Sequence, residues 1–193
     1  VTETRLLIEA DLWRPHFKGL PSPRVALIIG GSTKSTVFTA DMARELVGRA
    51  IEATGAIDGS LLVTTSRRTG PENEEIIAEM LGNSGLAYHL HDWSSKAENP
   101  YFGYLALADI ILVTGDSVSM CCEAAAAPGG VYIYAPDGIA GPRHQRLHQS
   151  LYDGGYARPL LPNTEIVPFR HPSLQPARTV AQRCLELLSA PVS

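Results

Sequence analysis

The stretch Gly30-Gly31-Ser32-Thr33-Lys34-Ser35-Thr36 places two glycines, several hydroxyls and one cation directly after an apolar run and ahead of helical spacing. Small residues there leave backbone N–H groups able to meet a phosphate; the alternative is a flexible turn. The spacing is neither Gly-x-x-x-x-Gly-Lys nor Gly-x-Gly-x-x-Gly, so it predicts neither nucleotide hydrolysis nor a standard dinucleotide site. A second loop, Thr65-Ser66-Arg67-Arg68-Thr69, offers guanidinium forks that match phosphate oxygens in pairs, or else a solvated surface pair. A third offers His91, Asp92 and Trp93 as hydrogen-bonding groups and an aromatic platform, unless the Trp only caps the core. The fourth, Gly115-Asp116-Ser117-Val118-Ser119-Met120, turns sharply into a helix and sets two hydroxyls at its N-terminus, a further anion-binding arrangement. Glu123, about one turn further on, can accept hydrogen bonds from sugar hydroxyls, or act as an ordinary first-turn carboxylate.

Each loop follows an apolar, β-branched run: Val25–Ile29, Leu61–Thr65, Leu86–Leu90 and Ile110–Thr114, with a fifth run at Val131–Ala135. The near-continuous apolar character of four of them, Leu86–Leu90 being the weaker case, and the helical segments between them predict repeated βα units and a mainly parallel sheet covered on both faces. Ligands of such sheets gather at the carboxyl ends of the strands, where these four loops lie. A sixth run, Glu165–Phe169, is flanked by prolines and is expected at an edge. Helices are expected after Thr39 and Asp41 with Ala43, Leu46, Val47 and Ala50 inward. Another should run from Pro71 to Gly82 with Ile76, Ile77, Met80 and Leu81 inward, and others after Ser119, Pro142 and Ser173. The last would bury Val180, Cys184, Leu187 and Leu188. Residues 1–22 read as a helix, roughly Glu9 to Phe17, and a Gly/Pro linker; residues 23–193 read as one three-layer Rossmann-like α/β domain of about six strands.

The formal net charge is −4 and there are only three lysines, which argues against a general nucleic-acid binder. Cys121, Cys122 and Cys184 form neither a disulfide framework nor a metal spacing, and no carboxylate cluster calls for a metal. A thiolate at 121 or 122 would gain from a helix N-terminus, but burial beneath the sheet opposes it. The cysteines favour a reducing, cytosolic setting; no run of roughly 20 apolar residues spans a bilayer, and peripheral contact with the inner membrane stays open.

The run Asn99-Pro100-Tyr101-x-Gly103-x-Leu105-x-x-Ala108-Asp109, the segment Thr114-Gly115-Asp116-Ser117-Val118-Ser119-Met120-x-x-Glu123-Ala124, Ile29-Gly30-Gly31 and Leu62 to Thr69 resemble the elongated-mitochondria (mitochondrial fission) family and its bacterial members. The resemblance spans about Pro21 to Pro159. Members are longer, which implies an N-terminal domain as partner to this piece. That family resembles the carboxyl-terminal, donor-binding domain of B-type glycosyltransferases. The resemblance implies that the Gly-rich loop faces a donor diphosphate, that the loop after the third strand meets the base, that Glu123 holds the ribose, and that Arg143-His144-Gln145 touches the donor sugar. The Asp116-Ser117-Val118-Ser119 loop departs from the transferase pattern of Ser-Gly or Gly-Gly-x-x-Thr before the Glu.

The leading expectation is thus a domain that binds a nucleoside diphosphate or nucleotide sugar, with no separate cofactor and no residue assigned to catalysis. Its rival is a scaffold module that kept the fold and lost transfer. A serine hydrolase through Gly115-Asp116-Ser117 lacks an Asp-x-x-His pair, and Ser119 sits in no Gly-x-Ser-x-Gly elbow. A dinucleotide-dependent epimerase lacks both a Tyr-x-x-x-Lys pair and the glycine loop.

Overall fold

A computed structural model describes residues 1–175. The order is α1 (Glu3–Trp13), β1 (Arg24–Ile28), α2 (Ala40–Ala56), β2 (Ser60–Thr64), α3 (Pro71–Asn83), β3 (Ala87–His91), α4 (Tyr101–Leu107), β4 (Ile110–Thr114), α5 (Val118–Ala126), β5 (Gly130–Tyr134), α6 (Pro142–Asp153) and β6 (Arg158–Pro159). All six strands pair in parallel in the order β3-β2-β1-β4-β5-β6.

Successive side chains of a strand point to opposite faces, and here both faces are dry. Val25, Leu27 and Ile29 pack with Leu46, Val47, Ile77 and Leu81 beneath α2 and α3. Ala26 and Ile28 pack with Tyr104, Leu105, Cys121 and Ala124 beneath α4 and α5, joined by Trp13 and Phe17. Gly103 explains how α1 reaches α4: a Cβ there would lie 2.4 Å from the Trp13 ring. Trp13 stacks on Phe17, and Phe17 meets Tyr104, whose hydroxyl bonds His89 Nδ1 at 2.5 Å.

Helix starts follow local chemistry. Thr39 caps α2 by accepting from the Met42 N–H, and Pro71 opens α3 with Glu72 and Glu74 in the first turn. Several boundaries differ from the sequence reading. The first helix is Glu3–Trp13 and ends before Pro15, which cannot continue it. Gly82 lies inside α3 instead of ending it, and α5 begins at Val118 because Ser117, not Ser119, is the cap. The segment 165–169 is not a strand. The sheet ends at the two-residue β6, and Leu160 donates to Ile133. The 165–169 segment is held instead by the Tyr132 hydroxyl, which donates to the Val167 carbonyl at 2.9 Å and accepts from its N–H at 3.1 Å. Pro168 denies it a continuous ladder. The expected helix after Ser173, with Val180, Cys184, Leu187 and Leu188, lies outside the described residues.

Among the described residues no helix is long and apolar enough to cross a membrane.

Candidate functional site

Strand β1 lies between β2 and β4, and the chain leaves it in both directions across the sheet. Ligands of doubly wound sheets bind at the carboxyl ends of the strands beside such a reversal, here β1 and β4. The Gly30 N–H donates to Thr114 Oγ1 at 2.8 Å, and the Gly31 N–H donates to Asp116 Oδ2 at 3.0 Å. The Gly30 carbonyl accepts from Ser66 Oγ and Thr69 Oγ1, each at 2.6 Å. Arg68 Nη1 meets Asp116 Oδ2 at 2.6 Å and reaches the Gly31 carbonyl at 3.4 Å. Loops after β1, β2 and β4 are therefore stitched into one cluster around a carboxylate that is 3% exposed. Asp116 Oδ1 is buried with no partner.

Two glycines are required for this approach. A Cβ on Gly30 would lie 2.3 Å from Asp116 Oδ2. One on Gly31, at φ +146°, would lie 2.0 Å from the Arg68 carbonyl oxygen.

The cluster changes the roles expected from sequence. N–H groups of the glycine loop are not free for a phosphate. Besides Gly30 and Gly31, Ser32 donates to the Arg68 carbonyl at 3.0 Å and Thr33 to the Thr36 carbonyl at 2.9 Å. Ser32 Oγ accepts from the Phe38 N–H, and Thr33 Oγ1 bonds Thr36 Oγ1. The loop is consumed in its own folding because the backbone must satisfy each buried donor. Arg68 is a brace, tied to Asp116, whereas Arg67 and Lys34 are exposed.

Helix α5 supplies the donors that the glycine loop lacks. Ser117 caps it, accepting from the Met120 N–H at 3.4 Å. Val118 and Ser119 are its first residues, and the first N–H groups of a helix have no intrahelical partner. Ser119 is exposed and Met120 half-buried. Glu123, half-buried, accepts from the Tyr101 hydroxyl at 2.7 Å. Burial first, then that carboxylate, pushes the Tyr101 phenol far above its ordinary range, so Tyr101 acts as a fixed donor orienting Glu123. Burial likewise raises the Cys121 and Cys122 thiols, with Asp116 adding to the first and Glu123 to the second, which removes any reactive thiolate.

The remaining candidates stand apart from the cluster. His91, 8% exposed, ends β3 and lends its carbonyl to the Thr65 N–H. Trp93 is 58% exposed; its N–H donates to Thr65 Oγ1 at 2.9 Å and Glu74 Oε1 at 3.1 Å, so the ring is free while the loop is fixed. The Gln145 side-chain amide donates to the Ala140 carbonyl and its backbone N–H to the Gly141 carbonyl, both close by in the chain.

Sequence reasoning missed Thr114, Tyr101 and His148 as supports. The His144/His148 pair, one helical turn apart, was the available signal for the last. His148 is 3% exposed, lies 3.9 Å from Cys121 Sγ, and would meet a Cβ on Gly115 at 2.6 Å. Burial lowers its pKa; a hydrogen bond with the Gly115 backbone opposes this in part, His144 adds to the lowering, and Asp116 opposes it least. His89 is lowered too, by burial and then by His91 and His16. Both imidazoles are held neutral in the fold, while the unfolded chain protonates near 6.5. The unfolded state then binds more protons, so stability is complete above that pH and is lost as pH falls towards the lower folded values. Thermal midpoints measured from pH 7.5 to about 5 should decline, and the decline should be shallower in His148→Gln. A flat profile would place both rings in solvent.

Among the described residues no group of three His, Cys, Asp or Glu side chains is gathered to hold a metal ion.

A likeness in fold extends to a protein described as a UDP-N-acetylglucosamine 2-epimerase from Listeria monocytogenes, with a TM-score of 0.53 at 12% identity over 91% of this chain and 39% of the other. At that identity the likeness concerns architecture. The C-terminal domain of a group 1 glycosyl transferase, LpcC of Francisella tularensis, aligns at a TM-score of 0.49 and 15% identity over 94% of this chain and 83% of that one. The mitochondrial fission protein ELM1 of Arabidopsis thaliana is 33% identical over 128 residues, 66% of this chain and 29% of its own length. The uncharacterised protein RP120 of Rickettsia prowazekii is 31% identical over 156 residues, 78% of this chain and 41% of its own. The chain thus spans well under half the length of these two relatives. The model of the mitochondrial fission ELM1 family matches residues 1–188, and with these relatives it shows that the chain belongs to that family.

Proposed function

We propose that this chain is the donor-binding part of a glycosyltransferase-like protein and holds a nucleoside diphosphate or its sugar conjugate at the carboxyl ends of β1, β2 and β4. The observation that carries the reading is the reversal of strand order at β1 and β4, with the start of α5 held beside it by the Asp116 brace. The diphosphate would lie on the Val118 and Ser119 N–H groups, where the helix dipole favours negative charge, and take a further fork from exposed Arg67. Glu123, oriented by Tyr101, suits a pair of ribose hydroxyls. Trp93 offers a ring face to a base. Such groups stabilise a leaving diphosphate electrostatically. A base for transfer would come from the remainder of the longer protein, so binding without transfer is expected here.

A second reading, a module that keeps the fold without a ligand, is favoured by one observation: the N–H groups from Gly30 to Thr33 are all spent internally.

Isothermal titration with uridine, guanosine, adenosine and cytidine diphosphates and their sugar conjugates decides between the two. Saturable binding of one nucleotide is expected, weakened roughly tenfold in Arg67→Ala by loss of a charge-assisted hydrogen bond, and weakened in Glu123→Ala while the chain remains folded. Failure of every nucleotide to bind would leave the scaffold reading.

A further inference from the structure

At the opposite, amino ends of the strands, Arg14, Arg24 and Arg170 line one cleft of about 630 Å3, with Ser22, Asp109 and Phe169. Arg24 is anchored: its Nη2 donates to the Phe17 and Leu20 carbonyls at 3.3 and 3.4 Å, while its buried Nε has no partner. Asp109, the carboxylate of this cleft, accepts from the Arg24 backbone N–H on Oδ2 at 2.8 Å and is outnumbered by the three arginines. Arg14 and Arg170 are exposed and form no ion pair among the described residues. A chain of net charge −4 thus concentrates three guanidinium groups around one cavity, against its average.

A second cleft of about 400 Å3 adjoins the first and shares Arg14, Ala106, Pro128 and Arg170 with it. Its walls include Leu6, Leu7, Ala10 and Ala127, with Glu3 the carboxylate among its lining residues. Leu7 is 62% exposed on α1. The two clefts together present a cationic pocket that runs into an apolar groove.

We infer that they form a site for a lipid phosphate, with the headgroup phosphate held by Arg14, Arg24 and Arg170 and the first methylenes of its chain lying along Leu7. Guanidinium forks match phosphate oxygens in pairs. A free phosphate would fill the first cleft alone, whereas the leucine and alanine walls of the second, beside its polar His171 and Ser173, suit the methylenes of an acyl chain. The site is independent of the carboxyl-end loops and does not rest on the donor-binding reading.

Co-sedimentation of the 193-residue chain with phosphatidylcholine vesicles, with and without phosphatidic acid, tests it. Binding is expected only with phosphatidic acid, because the overall negative charge gives no general attraction to anionic membranes. The double variant Arg14→Glu/Arg170→Glu should lose roughly tenfold or more in affinity, given about 1 kcal/mol for each basic residue at a charged surface. Arg14→Gln and Arg170→Gln alone should each weaken binding severalfold at an unchanged thermal midpoint, which separates loss of the site from loss of the fold. Leu7→Asp should weaken vesicle binding while leaving the weaker binding of inorganic phosphate, read by titration, unaltered. Absence of binding by the wild-type chain, or vesicle binding unaltered by the arginine variants, would overturn the site. Equal binding by Leu7→Asp would overturn the lipid and leave a soluble phosphate as the ligand.

Discussion

Gly31→Ala is expected to lower the thermal midpoint by about 10 °C. The backbone there sits at φ +146°, and the new Cβ would lie 2.0 Å from the Arg68 carbonyl oxygen and 2.4 Å from the Thr69 nitrogen. Neither neighbour is the far end of a side chain; both are backbone, fixed by the Ser32 to Arg68 and Thr69 to Ser66 hydrogen bonds. Relief requires the β1 and β2 loops to part, which breaks bonds at Gly31 and Ser32 together. Such combined strain and lost hydrogen bonding costs roughly 3–5 kcal/mol, and a chain of this size shifts by roughly 2–4 °C per kcal/mol. Gly82→Ala is the matched control. Gly82 is exposed inside α3, and a Cβ there meets nothing within 4 Å. That change should stabilise by roughly 0.5–1 kcal/mol through helix propensity. If Gly31→Ala unfolds within about a degree of the wild type, the loops are not locked as described; the expected shift is set by the same slope.

The contrast between these glycines shows what the sequence could reveal. Continuous apolar runs at Ile110–Thr114 and around Val25 and Leu61 announced buried parallel strands, because each is covered on both faces and has no polar side to blur the pattern. The edge was harder. Strand β6 is two residues long and contains a proline, whereas 165–169 has strand-like composition but is tied to the Tyr132 hydroxyl instead of a ladder. Composition does not reveal where a backbone's hydrogen bonds go. The same limit applies at the site. Gly30, Gly31, Ser66, Arg68 and Asp116 stood among the residues expected to bind a ligand, and the structure brings these five into contact with one another. Their individual roles were not legible, because a glycine loop that cradles phosphate and one that packs on a buried carboxylate use the same residues. Arg67 and Arg68 are adjacent and identical in type, yet one is braced and the other faces solvent. Only the positions of Asp116 and Gly31 distinguish them. Glu123 was read as a ligand group or a first-turn carboxylate; its partner, Tyr101, lies 22 residues away on another helix and carries no signal at that spacing.

The Arg68–Asp116 pair predicts an asymmetry between its two members. The Asp116 side chain is fully buried, while that of Arg68 is 33% exposed. Arg68→Met strands a carboxylate that water cannot reach and whose Oδ1 already lacks a partner. The cost of an uncompensated buried charge is about 3 kcal/mol or more. Asp116→Ala instead frees a guanidinium that can turn to solvent, and the main loss is the orphaned Gly31 N–H, about 1–3 kcal/mol. Arg68→Met should therefore be the more destabilising of the two in urea unfolding, and the double variant should lie close to Asp116→Ala alone instead of at the sum. The resulting coupling then equals the Arg68→Met cost in size, about 3 kcal/mol, the upper end for residues in one buried network. Strict additivity, or the reverse order of the singles, would show that Asp116 is not charged and braced in the fold. The same series bears on ligand binding. Ser117 follows Asp116 directly and caps α5, so loosening the brace moves the Val118 and Ser119 N–H groups. Nucleotide affinity should fall in Asp116→Ala even where the chain remains folded, because donors that must meet a phosphate within a few tenths of an ångström are no longer held in place.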